Sequence, residues 1–253
     1  MGATLAHTSS QKEDCLPGVF KMEAIILAGG FGTRLQGVIG AYPKCMAPVN
    51  GKPFLSYLFE YLTQQRCTRA ILSLGYKHKV VTDWLESQDL FFELDCVIEQ
   101  EPLGTGGGIL AAIEEAETDD VAILNGDTMF KVDLREQIAF HRDRKAETTL
   151  ALKKMHQFDR YGIVHTDASG VITSFEEKQY REEGLINGGV YIVNREAFLA
   201  RQLPEKFSFE KDYLERFADK KKFYGYVADS YFIDIGIPVD YNAAQEDFKT
   251  IFL

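Results

Sequence analysis

Four short apolar runs recur within the first 145 residues, separated by segments of helical pattern. They are Glu23 to Ala28, Ala70 to Leu74, Leu94 to Glu99 and Val121 to Leu124. Each is too short for a stable helix and shows no polar face. That is the pattern of a strand covered on both sides, as parallel strands are. Between them, Pro53 to Gln65 carries Phe54, Leu55, Leu58, Phe59 and Leu62 at helical spacing. Val80 to Glu86, Ile109 to Ala116 and Leu134 to Lys145 also read as helices. Strand alternating with helix predicts an α/β fold with a doubly wound, mostly parallel central sheet.

Beyond residue 145 the pattern changes. Short strands are predicted at Thr148 to Lys153, Gly162 to His165, Val171 to Glu176 and Gly189 to Val193, joined by turns such as Asp167-Ala168-Ser169-Gly170. Helices are predicted over Glu210 to Ala218 and Pro238 to Lys249, with strands at Tyr224 to Ala228 and Tyr231 to Ile233 between them. A smaller, antiparallel part therefore follows the parallel half. No linker or repeat divides the chain, so residues 22–253 are expected to form a single domain. Residues 1–21 hold Lys12, Glu13 and Asp14 and no apolar core, and are expected to be a flexible extension rather than a secretory signal.

The chain has 253 residues and a net charge of −10, and its basic residues form no stripe beyond Lys220-Lys221-Lys222. Such a balance argues against a nucleic-acid partner. No apolar run approaches the ~20 residues that span a bilayer, so no membrane partner is expected. Cys15, Cys45, Cys67 and Cys96 show no metal-ligand spacing and read as free thiols of a reducing, cytoplasmic compartment.

The segment Leu27-Ala28-Gly29-Gly30-Phe31-Gly32-Thr33-Arg34-Leu35 follows the first predicted strand. Its glycines allow close backbone approach and aim several N–H groups at one anion. Two familiar phosphate loops do not fit. A Walker A loop requires Gly-Lys-Ser/Thr where this chain has Gly32-Thr33-Arg34, and the dinucleotide fingerprint requires glycine where it has Leu35. A nicotinamide-dependent dehydrogenase is excluded on the same spacing. Ten residues after Arg34 comes Lys44, so a loop folding back would present both cations to one polyanion.

Gly29-Gly30-Phe31-Gly32-Thr33-Arg34-Leu35, then Pro43-Lys44-x-Met46-x-Pro48-Val49, then Lys52-Pro53-Phe54, resembles the opening of the sugar-1-phosphate nucleotidyltransferases. The resemblance runs from Met22 to about Asp247. It implies a Rossmann-like, glycosyltransferase-A-like sheet with a smaller antiparallel sugar-binding part. Two departures touch no charged group: Gln36-Gly37 stands where many relatives have proline two residues after Leu35, and Cys45 follows Lys44.

The resemblance also implies roles for individual residues. Arg34 and Lys44 would be catalytic. Leu27, Ala28, Gly29, Gly30, Gly32 and Thr33 would bind the nucleotide. In Glu99-Gln100-Glu101-Pro102-Leu103-Gly104-Thr105-Gly106-Gly107, the base would be read by Gln100 or its neighbour with Pro102, Gly104 and Thr105. Taken alone that segment is also a helix-initiating turn with Thr105 as cap. Asp127 in Asn125-Gly126-Asp127 and Asp234 in Asp234-Ile235-Gly236 would bind Mg²⁺. Alone, an aspartate after Asn-Gly reads as a turn former. Gly162, Glu177, Lys178 and Asn187 would form the sugar-phosphate pocket.

The implied reaction is nucleotidyl transfer from a nucleoside triphosphate to a sugar 1-phosphate. The runs Pro43 to Leu55 and Glu101 to Gly107, and the missing proline, are most similar to the bacterial D-glycero-D-manno-heptose 1-phosphate guanylyltransferases. That branch implies GTP and a heptose 1-phosphate as substrates, with GDP-heptose made for surface polysaccharide. Competing pairs are mannose 1-phosphate with GTP, and glucose 1-phosphate with UTP or dTTP. A catalytically silent regulatory subunit of this fold is disfavoured, because Arg34, Lys44, Asp127 and Asp234 are all present. A homo-oligomer is compatible with the sequence.

Overall fold

The computed structural model describes residues 5–7, 20–30, 34–40 and 42–252. Fourteen strands are described: β1 (Leu5–His7), β2 (Glu23–Leu27), β3 (Pro48–Val49), β4 (Lys52–Pro53), β5 (Arg69–Leu74), β6 (Glu93–Ile98), β7 (Asp120–Asn125), β8 (Thr128–Phe130), β9 (Thr148–Phe158), β10 (Val164–Thr166), β11 (Ile172–Phe175), β12 (Arg181–Asn194), β13 (Phe223–Val227) and β14 (Phe232–Asp234). The helices are α1 (Gln36–Ile39), α2 (Phe54–Gln64), α3 (His78–Leu85), α4 (Gly104–Glu114), α5 (Leu134–Asp143), α6 (Arg195–Leu199) and α7 (Pro238–Ile251).

Eight strands form the main sheet in the order β1-β6-β5-β2-β7-β12-β9-β13. β6, β5, β2 and β7 run parallel. β12 is antiparallel to both β7 and β9, and β13 is parallel to β9. Pleating sends alternate residues of β2 to opposite faces: Ala24 and Ile26 pack with α2 and α7, and Ile25 packs with Ile71, Ile123 and α4. Each side chain is fully buried, and an Ile so placed contributes about 1.5–3 kcal/mol of transfer free energy. The two-sided burial read from the sequence is therefore the reason the sheet has a helical layer on each face.

Three expectations need correction. The second glycine-rich segment is not a loop before a helix; α4 begins at Gly104 and includes the glycines. They are tolerated because the chain at 205–207 crosses so closely. A Cβ at Gly106 would lie 2.1 Å from the Phe207 ring, and one at Gly107 would lie 2.2 Å from the Glu205 carbonyl. Second, β9 and β12 are much longer than expected, at 11 and 14 residues. Asn187-Gly188-Gly189 is no strand end but an irregularity in the pairing with β9, with Gly189 at φ +71°. Third, the helix expected from Glu210 is a π-helical turn, Phe209–Glu215.

Of the expected extension, Leu5–His7 pair antiparallel with β6, Leu5 opposite Cys96 and His7 opposite Leu94. Cys45, Cys67 and Cys96 are free and buried, and Cys15 lies outside the described residues. No helix among the described residues is long and apolar enough to cross a membrane.

The end of the sheet opposite the C-terminal strand ends is fixed by charge. Glu23 is 3% exposed and pairs with Arg69 Nη1 at 2.7 Å, while the Glu117 and Thr118 amides donate to it at 2.7 and 2.6 Å. Burial alone would raise its pKa, but the Thr118 amide, Arg69 and the Glu117 amide outweigh that and hold it below the usual 4.5. A depressed carboxyl pKa stabilises the fold above the unfolded value and loses that contribution as pH falls. Glu23→Gln should therefore cost about 2–3 kcal/mol at neutral pH. In parallel thermal melts the gap to the parent should close below about pH 4; a gap independent of pH would show that the charge of Glu23 is not what stabilises.

Candidate active site

The C-terminal ends of β2, β5, β6 and β7 meet at a cavity of about 280 Å³. Its walls come from Leu27, Gly29 and Gly30, from Ser73, from Glu99, and from Asn125 and Asp127. Pro102, Gly104 and Thr105 close it at the start of α4. Ligands in open α/β sheets bind at this end, and the N-terminal end of an 11-residue helix favours an anion there.

Six of the eight nucleotide-binding residues expected outside the Gln100 and Ala28 positions thus face one cavity, and the other two, Gly32 and Thr33, lie outside the described residues. Ala28 is buried behind the wall, where its amide donates to the Ser73 carbonyl at 2.8 Å. Gln100 is exposed and faces an adjoining cavity of about 270 Å³ beside Gly75 and Tyr76. Glu99 faces both cavities, as does Pro102, and of the two only Glu99 carries a hydrogen-bonding side chain. Ser73 Oγ donates to its Oε1 at 3.1 Å and the Leu103 amide to its Oε2 at 3.1 Å. The signal was present in the sequence: period two along β6 sends Glu99 to the same face as Val97, toward α4. Thr105 does not cap α4. It donates to Glu210 at 2.7 Å and accepts from the Phe209 amide at 2.9 Å.

Beside Asp127 stands Asp234, brought there by antiparallel pairing of β8 with β14 in which Asp234 opposes Thr128. The Ile235 amide donates to the Asp127 carbonyl at 3.0 Å and continues the ladder. Lys44 enters between them from a 3₁₀ turn, Lys44–Met46, whose Cys45 and Met46 are buried anchors. Its ammonium pairs with Asp127 Oδ2 and lies 3.4 Å from Asp234 Oδ1. The Lys44 side chain is only 12% exposed. The Asp234 carboxyl is raised above its usual value, first by burial and then by the charge of Asp127, with Lys44 opposing both. Burial, reinforced by Asp127, pushes the Cys45 thiol up to about 12, so this departure from the common pattern adds no nucleophile. Arg34 is exposed at the approach to α1 and is not among the described residues lining these cavities.

A second cavity, of about 380 Å³, lies over the antiparallel part. All four residues expected to bind the sugar phosphate, Gly162, Glu177, Lys178 and Asn187, line it. Asn187 is oriented by donating to Tyr191 Oη at 2.9 Å and accepting from the Gly189 amide at 3.0 Å. Ser208, Glu210 and Lys211 complete the wall, and no local motif marked them. The Thr105–Glu210 hydrogen bond therefore joins the walls of the two cavities.

Residues 23–250 match the model of the nucleotidyl transferases. The chain belongs to the nucleotidyl transferase family. This nucleotidyl transferase is 51% identical over 228 residues to a D-glycero-alpha-D-manno-heptose 1-phosphate guanylyltransferase of Aneurinibacillus thermoaerophilus, covering 90% of this chain and 99% of that one. It is 44% identical over 220 residues to an enzyme of the same name from Campylobacter jejuni, covering 87% and 97%. HddC from Yersinia pseudotuberculosis superposes with a TM-score of 0.82 at 38% identity, over 90% of this chain and 99% of that one. A second HddC structure, complexed with GMP-PN, gives a TM-score of 0.79.

One glycine is required by the site itself. A Cβ at Gly236 would lie 2.8 Å from Asp234 Oδ1 and 2.9 Å from Lys44 Nζ. Gly236→Ala should displace both groups and lower turnover by about a hundredfold, since a misplacement near 1 Å costs that much. Its melting temperature should stay close to the parent's. Parent-like turnover of a folded G236A enzyme would show that the Lys44–Asp234 geometry is not needed.

Proposed function

We propose that this nucleotidyl transferase moves the guanylyl group of GTP onto D-glycero-D-manno-heptose 1-phosphate. An oxygen of the sugar phosphate attacks the α-phosphorus in line. The new P–O bond forms as the bond to the β-phosphate oxygen breaks, and GDP-heptose and pyrophosphate result. The observation that carries this reading is Lys44 set between Asp127 and Asp234. Asp127 is on the wall of the first cavity and Asp234 adjoins Tyr161 of the second.

No protein nucleophile is required, because the attacking group is already an anion. The protein must hold two anions in line and neutralise charge as it shifts. Lys44 would place a fixed ammonium on the transferring phosphoryl group, and the amides at the start of α4 and after β2 would face the triphosphate. Arg34, at the exposed end of the first glycine segment, would reach the triphosphate from outside the cavity. Gly162, Glu177 and Asn187 would hold the sugar, with Lys178 near its phosphate.

The donor set at Asp127 and Asp234 fits Mg²⁺. Two carboxylates converge on one cationic position; burial and, after it, the charge of Asp127 raise Asp234, and a dication there would offset both. Mg²⁺ is commonly held by one or two carboxylates, with phosphate and water completing its shell. When bound it would supply positive charge to the triphosphate oxygens.

The choice of guanine rests on Glu99 together with the names of the relatives. A carboxylate is an acceptor only. Guanine presents two adjacent donors, N1–H and N2–H₂, to such a group. Uracil and thymine present one donor flanked by two carbonyl oxygens, which a carboxylate repels. One hydrogen bond on each oxygen of Glu99 holds it in place and leaves lone pairs for the base.

A pyrophosphate-release screen of four nucleoside triphosphates against a panel of sugar 1-phosphates should give its strongest signal with GTP and the heptose. Silence from that pair beside a robust signal from another overturns the substrate assignment. Glu99→Gln should lower kcat/KM for GTP by about 10- to 100-fold, the worth of one bidentate base contact, and narrow the margin over UTP. An unchanged GTP:UTP ratio in E99Q would remove Glu99 from base recognition.

A further inference from the structure

The acceptor in the proposed reaction brings a second polyanion to a place already occupied by Asp127 and Asp234. Lys44 is engaged by both carboxylates. The attacking oxygen belongs to the acceptor's phosphate, so that end of the acceptor must lie at the carboxylate end of the sugar cavity. A cation is needed there.

Arg160 is not itself on the cavity wall but lies beside that end, against Tyr161. It precedes Tyr161 and Gly162, which line the cavity. Its guanidinium carbon lies 5.3 Å from the Tyr161 ring centroid, and its Nη2 lies 3.4 Å from Tyr161 Oη. The Tyr161 ring meets Phe232 of β14 edge-on, with centroids 6.0 Å apart, two residues before Asp234. Burial and then the charge of Asp234 push the Tyr161 phenol well above its usual value. Tyr161 and the neighbouring Arg160 thus sit between the sugar cavity and the carboxylates.

Asp240, in the first turn of α7, accepts from Nη2 of Arg160. Nε and Nη1 have no partner among the described residues. The side chain is 34% exposed, so the open edge of the fork is accessible. The cations on the cavity wall, Lys178 and Lys211, are exposed, and Lys211 lies 3.9 Å from Glu177.

We propose that Arg160 grips the phosphate of the sugar 1-phosphate and that Asp240 is the positioning residue that sets its fork. The inference rests on the nucleotidyl-transfer reading above and adds to it the cation that receives the acceptor. A planar fork suits a phosphate, because two parallel N–H donors match two of its oxygens.

The test is steady-state kinetics on the full chain, with GTP and whichever sugar 1-phosphate the parent turns over fastest. Parent, Arg160→Gln, Arg160→Lys, Asp240→Asn and Lys178→Ala are compared, with melting temperatures alongside. Arg160→Gln should raise KM for the sugar phosphate about tenfold or more and leave KM for GTP within about twofold. Inhibition by the free, unphosphorylated sugar should be unchanged, because only the phosphate is read. Arg160→Lys should recover part of the loss, and Asp240→Asn should show a smaller shift of the same kind. If Arg160→Gln does not fold, Arg160→Lys carries the test, with an acceptor KM above the parent's. An unchanged acceptor KM, a parallel rise in both KM values, or a loss confined to Lys178→Ala overturns the inference and leaves the reaction intact. A parent enzyme that turns over no pair in the panel overturns both.

Discussion

The ammonium of Lys44 joins parts of the chain 83 and 190 residues away, and much of the site is arranged to deliver it. Two carboxylates side by side repel, and placing them in a partly buried cleft raises the cost of keeping both ionised. A cation between them relieves that cost only if its position is fixed. The chain fixes it with Cys45 and Met46, the two buried residues that follow Lys44 in the same 3₁₀ turn. The Pro48 carbonyl is then held by Tyr241 and by Gln245 of α7, the latter at 2.9 Å. Tyr57 donates to the Val49 carbonyl at 3.0 Å. Such a pair is weak evidence of stability, since desolvation offsets attraction. Its value here is geometric: it aims three charges at one point.

The mixed sheet explains why two cavities share that point. The parallel strands present their C-terminal ends on one edge, which builds the first cavity from loops after β2, β5, β6 and β7. β12 then returns antiparallel beside β7 and carries Asn187 out to the second cavity. The crossing at 205–210 ties the two together. Its backbone pairs with Leu103 and Gly106 at 3.0 Å each, and Glu210 receives the Thr105 hydroxyl. Only glycine at 106 and 107 permits that approach. These two glycines thus serve the contact between the cavities.

In the proposed reaction, base selection and acceptor capture would use opposite chemistry in neighbouring places. Glu99 would offer acceptors to a ligand edge that is a row of donors. Arg160, beside the sugar cavity, would offer donors to an anion. Each is steadied by a partner that consumes only part of its hydrogen-bonding capacity, Ser73 and the Leu103 amide for one and Asp240 for the other.

From the sequence alone came the alternation of buried strands and helices and the change to an antiparallel second half, which are periodic signals, and periodicity survives folding unchanged. The segments that hold Lys44, Asp127, Asp234 and the residues of the second cavity were marked only by their resemblance to a family. Period two along β6 already favoured Glu99 over Gln100, but the sequence could not place the start of α4, because that depends on the 205–207 crossing, which approaches from outside the segment. The length of β12 was hidden for the same reason: Asn187-Gly188-Gly189 is turn chemistry that pairing with β9 turns into a strand irregularity. Ser208, Glu210 and Arg160 carry no motif that distinguishes them from solvated residues. Only the fold gives Ser208 and Glu210 a cavity to face and sets Arg160 beside it, since a side chain's role there is set by neighbours far away in the chain.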